Sequence, residues 1–289
     1  MRVAARGLVA LLALLAAPRA ASASQDDVQV PIGAPDALFG EVEGWLTETD
    51  GQADVGIYPV RGDEYHRWHG RVRGDMAIAQ PTRDSLVRLG LSVQTVADDR
   101  NEISFRLVRL YYDAFTGYER RLGPGVGYAG YRHRCSHGAD SAVGGRVLIR
   151  SGPELGYRFE RPMGAWLLRA HGFAMGSVIS QNDDLSALPR ALFGGAGELR
   201  LRAGWASWVL GVGFGAAIVS RWEDWTVTIA DAWRGLKFEP LPTAAAGVVM
   251  HGERADFRIL AHYQRILDSG VGATSRPQGL VAVQLGFVY

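Results

Sequence analysis

The chain has 289 residues, with 31 Lys+Arg against 30 Asp+Glu and a formal net charge of +1. So even a balance excludes the basic footprint of a nucleic-acid binder, and no nucleic-acid partner is expected. One cysteine excludes an internal disulfide, while 37 glycines with Trp 8, Tyr 10 and Phe 10 point to β-structure.

The chain opens "MRVAARGLVALLALLAAPRAASAS". Arg2 and Arg6 give a positive start, Leu8 to Ala17 an apolar run, and Ala21-Ser22-Ala23 a small-residue cleavage site. This is the make-up of a secretory signal peptide over residues 1–23. The run is too short to span a bilayer as a helix, which takes about 20 apolar residues. Residues 24–50 read as a short periplasmic or plugging segment with a helical turn around "PDALFGEVEGWL", and 51–289 as one β-domain.

Strands are expected near 53–60, 69–79, 84–96, 102–113, 125–137, 146–161, 164–178, 195–206, 207–220, 242–250, 255–266 and 279–289. Their side chains alternate in chemistry. In "GELRLRAGW", Leu199, Leu201, Ala203 and Trp205 face one way and Glu198, Arg200 and Arg202 the other. In "ADFRILAHYQ", Phe257, Ile259, Ala261 and Tyr263 oppose Asp256, Arg258, His262 and Gln264. Val147 and Ile149 oppose Arg146 and Arg150 in the same way, and Leu155, Tyr157 and Phe159 oppose Arg158 and Glu160. A soluble sandwich would show this if its charged face met solvent. In lipid every backbone polar group needs an internal partner, so an exported protein without long apolar helices crosses only as a closed barrel. The fold expected is an all-β, antiparallel, up-and-down transmembrane barrel of about 12 strands, within a range of roughly 10 to 14.

Two segments sit awkwardly in that scheme. "DAFTGYERRLGP" (113–124) is long and charged where a short turn is due, and 225–238 is taken as part of a long loop. The connections 160–164, 204–207 and 252–255 are short and those at 137–146, 179–194, 221–241 and 267–278 long, which puts the long ones outside. Arg106, Arg146, Arg150, Arg200, Arg202 and Arg258 are expected to pair with Glu154, Glu160, Glu198 and Asp256 in a narrow interior. "GVGFG" (211–215) lacks a following helix and lysine and reads as a small-residue strand, and "NDD" (182–184) as a loop able to hold a cation.

The stretch "YRHRCSHGAD" (131–140) carries the chemistry. Arg132 and Arg134 share one strand face; facing hydrocarbon would cost about 2–4 kcal/mol each at mid-membrane, so they are expected inward. His133, Cys135 and His137 are then pushed outward near the external rim. Ionisable groups on the lipid side need a reason. One reading is rim decoration. A metal site is not expected, because three side chains in a row spanning about 13 Å do not converge. No cofactor is implied.

The final strand, "VAVQLGFVY", alternates Val281, Val283, Leu285, Phe287 and Tyr289 with Ala282, Gln284, Gly286 and Val288. It resembles the closing strand of bacterial outer-membrane barrels. That resemblance implies an outer-membrane location and recognition of the strand ending at Tyr289 by the barrel-assembly machinery. His133-Arg134-Cys135 resembles the His-x-Ser motif of outer-membrane phospholipases and lipid A deacylases, with Cys135 where the serine stands. The run is also similar to that of an uncharacterised family of outer-membrane barrels with His-x-Ser-Ser-His followed by Gly and Asp; His133, Ser136, His137 and Asp140 match it. The resemblance implies acyl transfer on membrane lipids, with His133 taking the proton of Cys135 and His137 or Asp140 orienting the imidazole. The phospholipases place the orienting group on the next strand about a dozen residues on, a position that here holds Val147. A lipid acyl-ester hydrolase, and a non-catalytic barrel or narrow small-solute channel, are the readings left open.

Overall fold

The computed structural model describes residues 45–60, 63–100, 102–139, 147–182, 188–220, 237–266 and 278–289. The signal peptide, residues 24–44 of the plug segment, Asp140, Arg146, residues 183–184 and the segment 225–236 lie outside the described residues.

The described chain forms β1 (Trp45–Val60), β2 (Trp68–Thr82), β3 (Ser85–Asp98), β4 (Arg106–Leu122), β5 (Gly125–Gly138), β6 (Leu148–Met163), β7 (Trp166–Gly176), β8 (Ile179–Asn182), β9 (Leu188–Ala203), β10 (Ala206–Ser220), β11 (Lys237–Met250), β12 (Asp256–Ile266) and β13 (Gln278–Val288). β7 and β8 both pair with β6 and form one stave interrupted at Ser177–Val178, so the wall has twelve staves. Each stave pairs antiparallel with its neighbours, and β1 pairs with β13 to close the cylinder. Closure leaves no open sheet edge.

The tight hairpins lie at one end. Gly123, Gly164 and Gly204 have φ of 61°, 66° and 63°, at the first central turn position that a type II′ hairpin gives to glycine. The longer connections all lie at the other, external end. β5 therefore ascends from Gly125 at the periplasmic end to Gly138 outside.

Three expectations about elements are corrected. Residues 113–122 are not a turn, because β4 runs to Leu122. The charges that read as turn chemistry are lumen partners: Glu119 accepts hydrogen bonds from Arg158 at 2.6 and 2.7 Å and lies 3.3 Å from Arg88. The span 179–194 is not one long loop, since β8 and the first half of β9 occupy most of it. β1 begins at Trp45, so the barrel takes in residues 45–50 as well.

Alternation sorts the two faces as expected. Val55, Ile57, Val72, Leu91, Leu155, Leu210, Val212, Phe214, Val283 and Leu285 stand exposed on the outside. Tyr118, Tyr157, Trp166, Trp205, Trp208, Phe287 and Tyr289 form an exposed aromatic band towards the tight-turn end. Among the described residues no helix is long and apolar enough to cross a membrane. A closed cylinder, apolar outside and charged inside, crosses with its strands: the protein is an outer-membrane β-barrel.

Ion pairs fill the lumen wall from β1 to β7. Arg132 bridges Asp113 at 2.8 Å and Glu154 at 2.5 Å, Arg134 reaches Asp113 at 2.7 Å, Arg73 reaches Asp75 at 2.6 Å, and Arg169 meets Glu160. The expected partners are partly exchanged: Arg106 binds Asp98 at 2.6 Å, and Asp256 meets a histidine instead of an arginine. The wall at β10 and β11 is largely apolar inside, with Ala217, Val219 and Leu241 packed with Leu192 of β9 against Met175, while β9 keeps an ion pair between Arg200 and Glu198. A cavity of about 250 Å³ remains between the two walls.

The closing seam is stitched across three strands. Asp54 on β1 receives Arg258 of β12 at 2.5 Å and Arg71 of β2 at 3.0 Å. Gly286 of β13 lies between, where a Cβ would sit 2.1 Å from the Asp54 carboxylate. Tyr289 exchanges backbone hydrogen bonds with Gly51 and lays its ring where a Gly51 side chain would be.

Candidate functional site

β5 presents two chemically distinct faces. Arg132 and Arg134 line the lumen cavity and are held there by Asp113 and Glu154. Tyr131, His133, Cys135 and His137 occupy the opposite face. His133 and His137 are exposed, and Cys135 is half-buried with a free thiol.

Register supplies the neighbours. His133 lies between Ala114 of β4 and Ser151 of β6; Cys135 lies between Tyr112 and Ile149. Directly opposed residues in an antiparallel pair point the same way, with Cβ atoms about 4.5–5.5 Å apart. The small Ala114 leaves one side of the imidazole open. On the other side His133 Nδ1 and Ser151 Oγ are 2.6 Å apart. Ser151 is fully buried beneath the ring. Its hydroxyl thereby fixes the ring plane and leaves Nε2 on the exposed side. His137 packs its ring 6.1 Å from that of Tyr112.

The backbone behind Ser151 is irregular. The Ser151 carbonyl accepts from Val178 N at 2.8 Å, just where β7 gives way to β8. Next to it, a Cβ on Gly152 would lie 1.7 Å from the Gly176 carbonyl oxygen, so only glycine fits. A strand break of this kind aims side chains that a regular ladder would not.

Of the five residues singled out from sequence, three share the outward face: His133, Cys135 and His137. Ser136 stands apart. It points inward, is buried, and accepts a hydrogen bond from Arg109 Nη2 at 2.7 Å. Asp140 lies outside the described residues. Val147 is not the residue opposite the imidazole; Ser151 is. The cue was present in parity, because Ser151 is the first polar residue on the outward register that Ile149 begins. What hid it was the length of the β5–β6 connection, which sets which residue faces His133. No group of three or more His, Cys, Asp or Glu able to hold a metal ion occurs among the described residues.

No protein-family profile matches the sequence, and no curated protein does. Solved structures of similar shape include LpxR from Salmonella typhimurium, at 6% identity and a TM-score of 0.46, over 82% of this chain and 99% of that one. The Salmonella typhi outer membrane phospholipase dimer with bound calcium gives 13% and 0.43, over 83% of this chain and 90% of that one. An outer membrane channel from Pseudomonas putida F1 gives 12% and 0.47, over 89% of this chain and 99% of that one. Likenesses at this level, a phospholipase and a channel among them, decide nothing about activity.

Proposed function

We propose that this outer-membrane barrel is an acyl-ester hydrolase acting on membrane lipids from its lipid-facing side, with Cys135 as nucleophile and His133 as base. The observation that carries the reading is the His133–Ser151 contact at 2.6 Å, on the same face as the thiol two residues along the strand. With Nδ1–H donated to Ser151 Oγ, the neutral imidazole keeps Nε2 as a proton acceptor. His133 Nε2 takes the Cys135 thiol proton, and the thiolate sulfur attacks the ester carbonyl carbon. Collapse of the tetrahedral intermediate breaks the ester C–O bond, and the proton on His133 leaves with the alcohol. Water, deprotonated by His133, then attacks the thioester; the C–S bond breaks, the fatty acid leaves, and the proton on His133 returns to the Cys135 sulfur. Ser151 is neutral and does not stabilise the imidazolium as a carboxylate would, so a slow enzyme is expected.

The test is hydrolysis of phospholipid in mixed micelles by the purified, refolded barrel. Cys135→Ala and prior alkylation of the thiol should each abolish fatty-acid release; activity unchanged in Cys135→Ala would end the proposal. The channel reading rests on the lumen cavity of about 250 Å³. It predicts stepwise conductance in planar bilayers, whereas the ion pairs across β1 to β7 favour a closed interior.

A further inference from the structure

At the periplasmic mouth, well away from β5, three strand ends bring together a serine, a histidine and an aspartate. Ser207 is the second residue of β10, His251 follows the last residue of β11, and Asp256 opens β12. Ser207 Oγ lies 2.7 Å from His251 Nε2, and His251 Nδ1 lies 3.1 Å from Asp256 Oδ2. We infer that Ser207, His251 and Asp256 form a second nucleophilic site, independent of the lipid-facing one, which cleaves small carboxylic esters arriving from the periplasm.

The two ring nitrogens are used in the order acyl transfer requires. A carboxylate on Nδ1–H fixes the tautomer, so Nε2 is the acceptor for the serine proton and the imidazolium that forms is stabilised. Burial separates the roles. Ser207 is 3% exposed, so its hydroxyl bonds the imidazole instead of water, whereas the His251 and Asp256 side chains keep 27% and 32% exposure and open the site to the mouth. Backbone bonding holds the histidine: His251 N donates to the Trp205 carbonyl at 2.8 Å, tying the β9–β10 turn to the β11–β12 turn.

The surroundings suit an ester. Arg202 of β9 is directly opposite Ser207 in register and exposed, which puts a cation beside the developing oxyanion. Val249 of β11 is opposite Ser207 on the other side, and it packs with Val209 and Leu260 as an apolar cluster one level further in. In the reaction Ser207 Oγ bonds to the carbonyl carbon as its proton passes to His251 Nε2. The ester C–O bond breaks and the alcohol leaves with that proton. Water then hydrolyses the acyl-serine, its proton passing through His251 to Ser207 Oγ.

The test uses the full-length barrel refolded in detergent, with Cys135 first alkylated so that the lipid-facing site is silent. A fluorophosphonate should form a covalent adduct on the peptide containing Ser207, and p-nitrophenyl butyrate should be hydrolysed. Ser207→Ala should lose both, and His251→Gln should label about 100-fold more slowly. Ser92→Ala, a lumen serine on β3, should behave as wild type. Heat-modifiable gel mobility reports folding in each case. An unlabelled Ser207 in the folded wild type, or labelling that survives in folded Ser207→Ala, would overturn the inference and leave the three side chains as a turn staple.

Discussion

The imidazole of His133 is useful only if one nitrogen is committed and the other free, and Ser151 makes that commitment. Ser151→Ala is expected to lower kcat for lipid hydrolysis about tenfold with KM little changed, because the loss falls on the transition state and not on lipid binding. Ser151→Asn, which can still accept from Nδ1, should recover part of it; equal kcat in all three proteins would remove Ser151 from the mechanism. His133 and Cys135 were legible in the sequence because their spacing and the neighbouring arginines force an outward face. Ser136 entered only through the motif resemblance, and its even position puts it on the arginine face. Its hydroxyl serves Arg109.

At the scale of elements, the break between β7 and β8 matters most for the site. Gly152→Val should force the Gly176 carbonyl away, displace Ser151 and lower activity at least as much as Ser151→Ala, with a barrel that still folds by heat modifiability. A second element prediction concerns the β1–β2 connection. Asp63 accepts hydrogen bonds from the backbone N–H of Tyr65 at 2.8 Å and of His66 at 2.9 Å, and pairs with the His66 ring at 2.7 Å. Burial pushes the Asp63 carboxyl up, but hydrogen bonds and charge from His66, with a further bond from Gln278, outweigh it and hold the group well below the usual carboxylate range. A depressed carboxylate stabilises the fold above its unfolded value of about 3.9 and loses that contribution as pH falls towards its folded value. The segment 63–67 should therefore stay docked down to about pH 4 and become progressively cleavable by an acid protease below it. Asp63→Asn should flatten that acid dependence. The span 113–122 teaches the opposite lesson about charge. Glu119 looked like turn chemistry because its partners, Arg88 and Arg158, lie 31 and 39 residues away and meet it only across the wall.

For the whole molecule the sensitive place is the seam where the first and last staves meet. Asp54 and Arg258 are both buried and face each other over Gly286. Removing one member of such a pair typically costs about 3–5 kcal/mol, because the other is left as an uncompensated buried charge. Asp54→Asn should lower stability towards urea by about that much. The double variant Asp54→Leu with Arg258→Met should regain most of it, less the share owed to Arg71. Gly286→Leu should impair closure by filling the space through which the pair passes; a Gly286→Leu barrel as stable as wild type would show that the pair does not hold the seam.

The sequence by itself determined the cylinder and its two faces. Period-two alternation, glycine at the tight turns and unequal connection lengths are local or summed properties, and one parity shift would turn every arginine to the lipid. It also placed the histidine–cysteine row outside, by the cost of the alternative. Only the tertiary structure decided the partners: Ser151 for His133, Glu119 for Arg158, Asp54 for Arg258, and His251 for Ser207 and Asp256. Partnering across a wall depends on stagger between strands, which is set by connection length, strand breaks and closure of the ring. None of those is a property of any short stretch of chain.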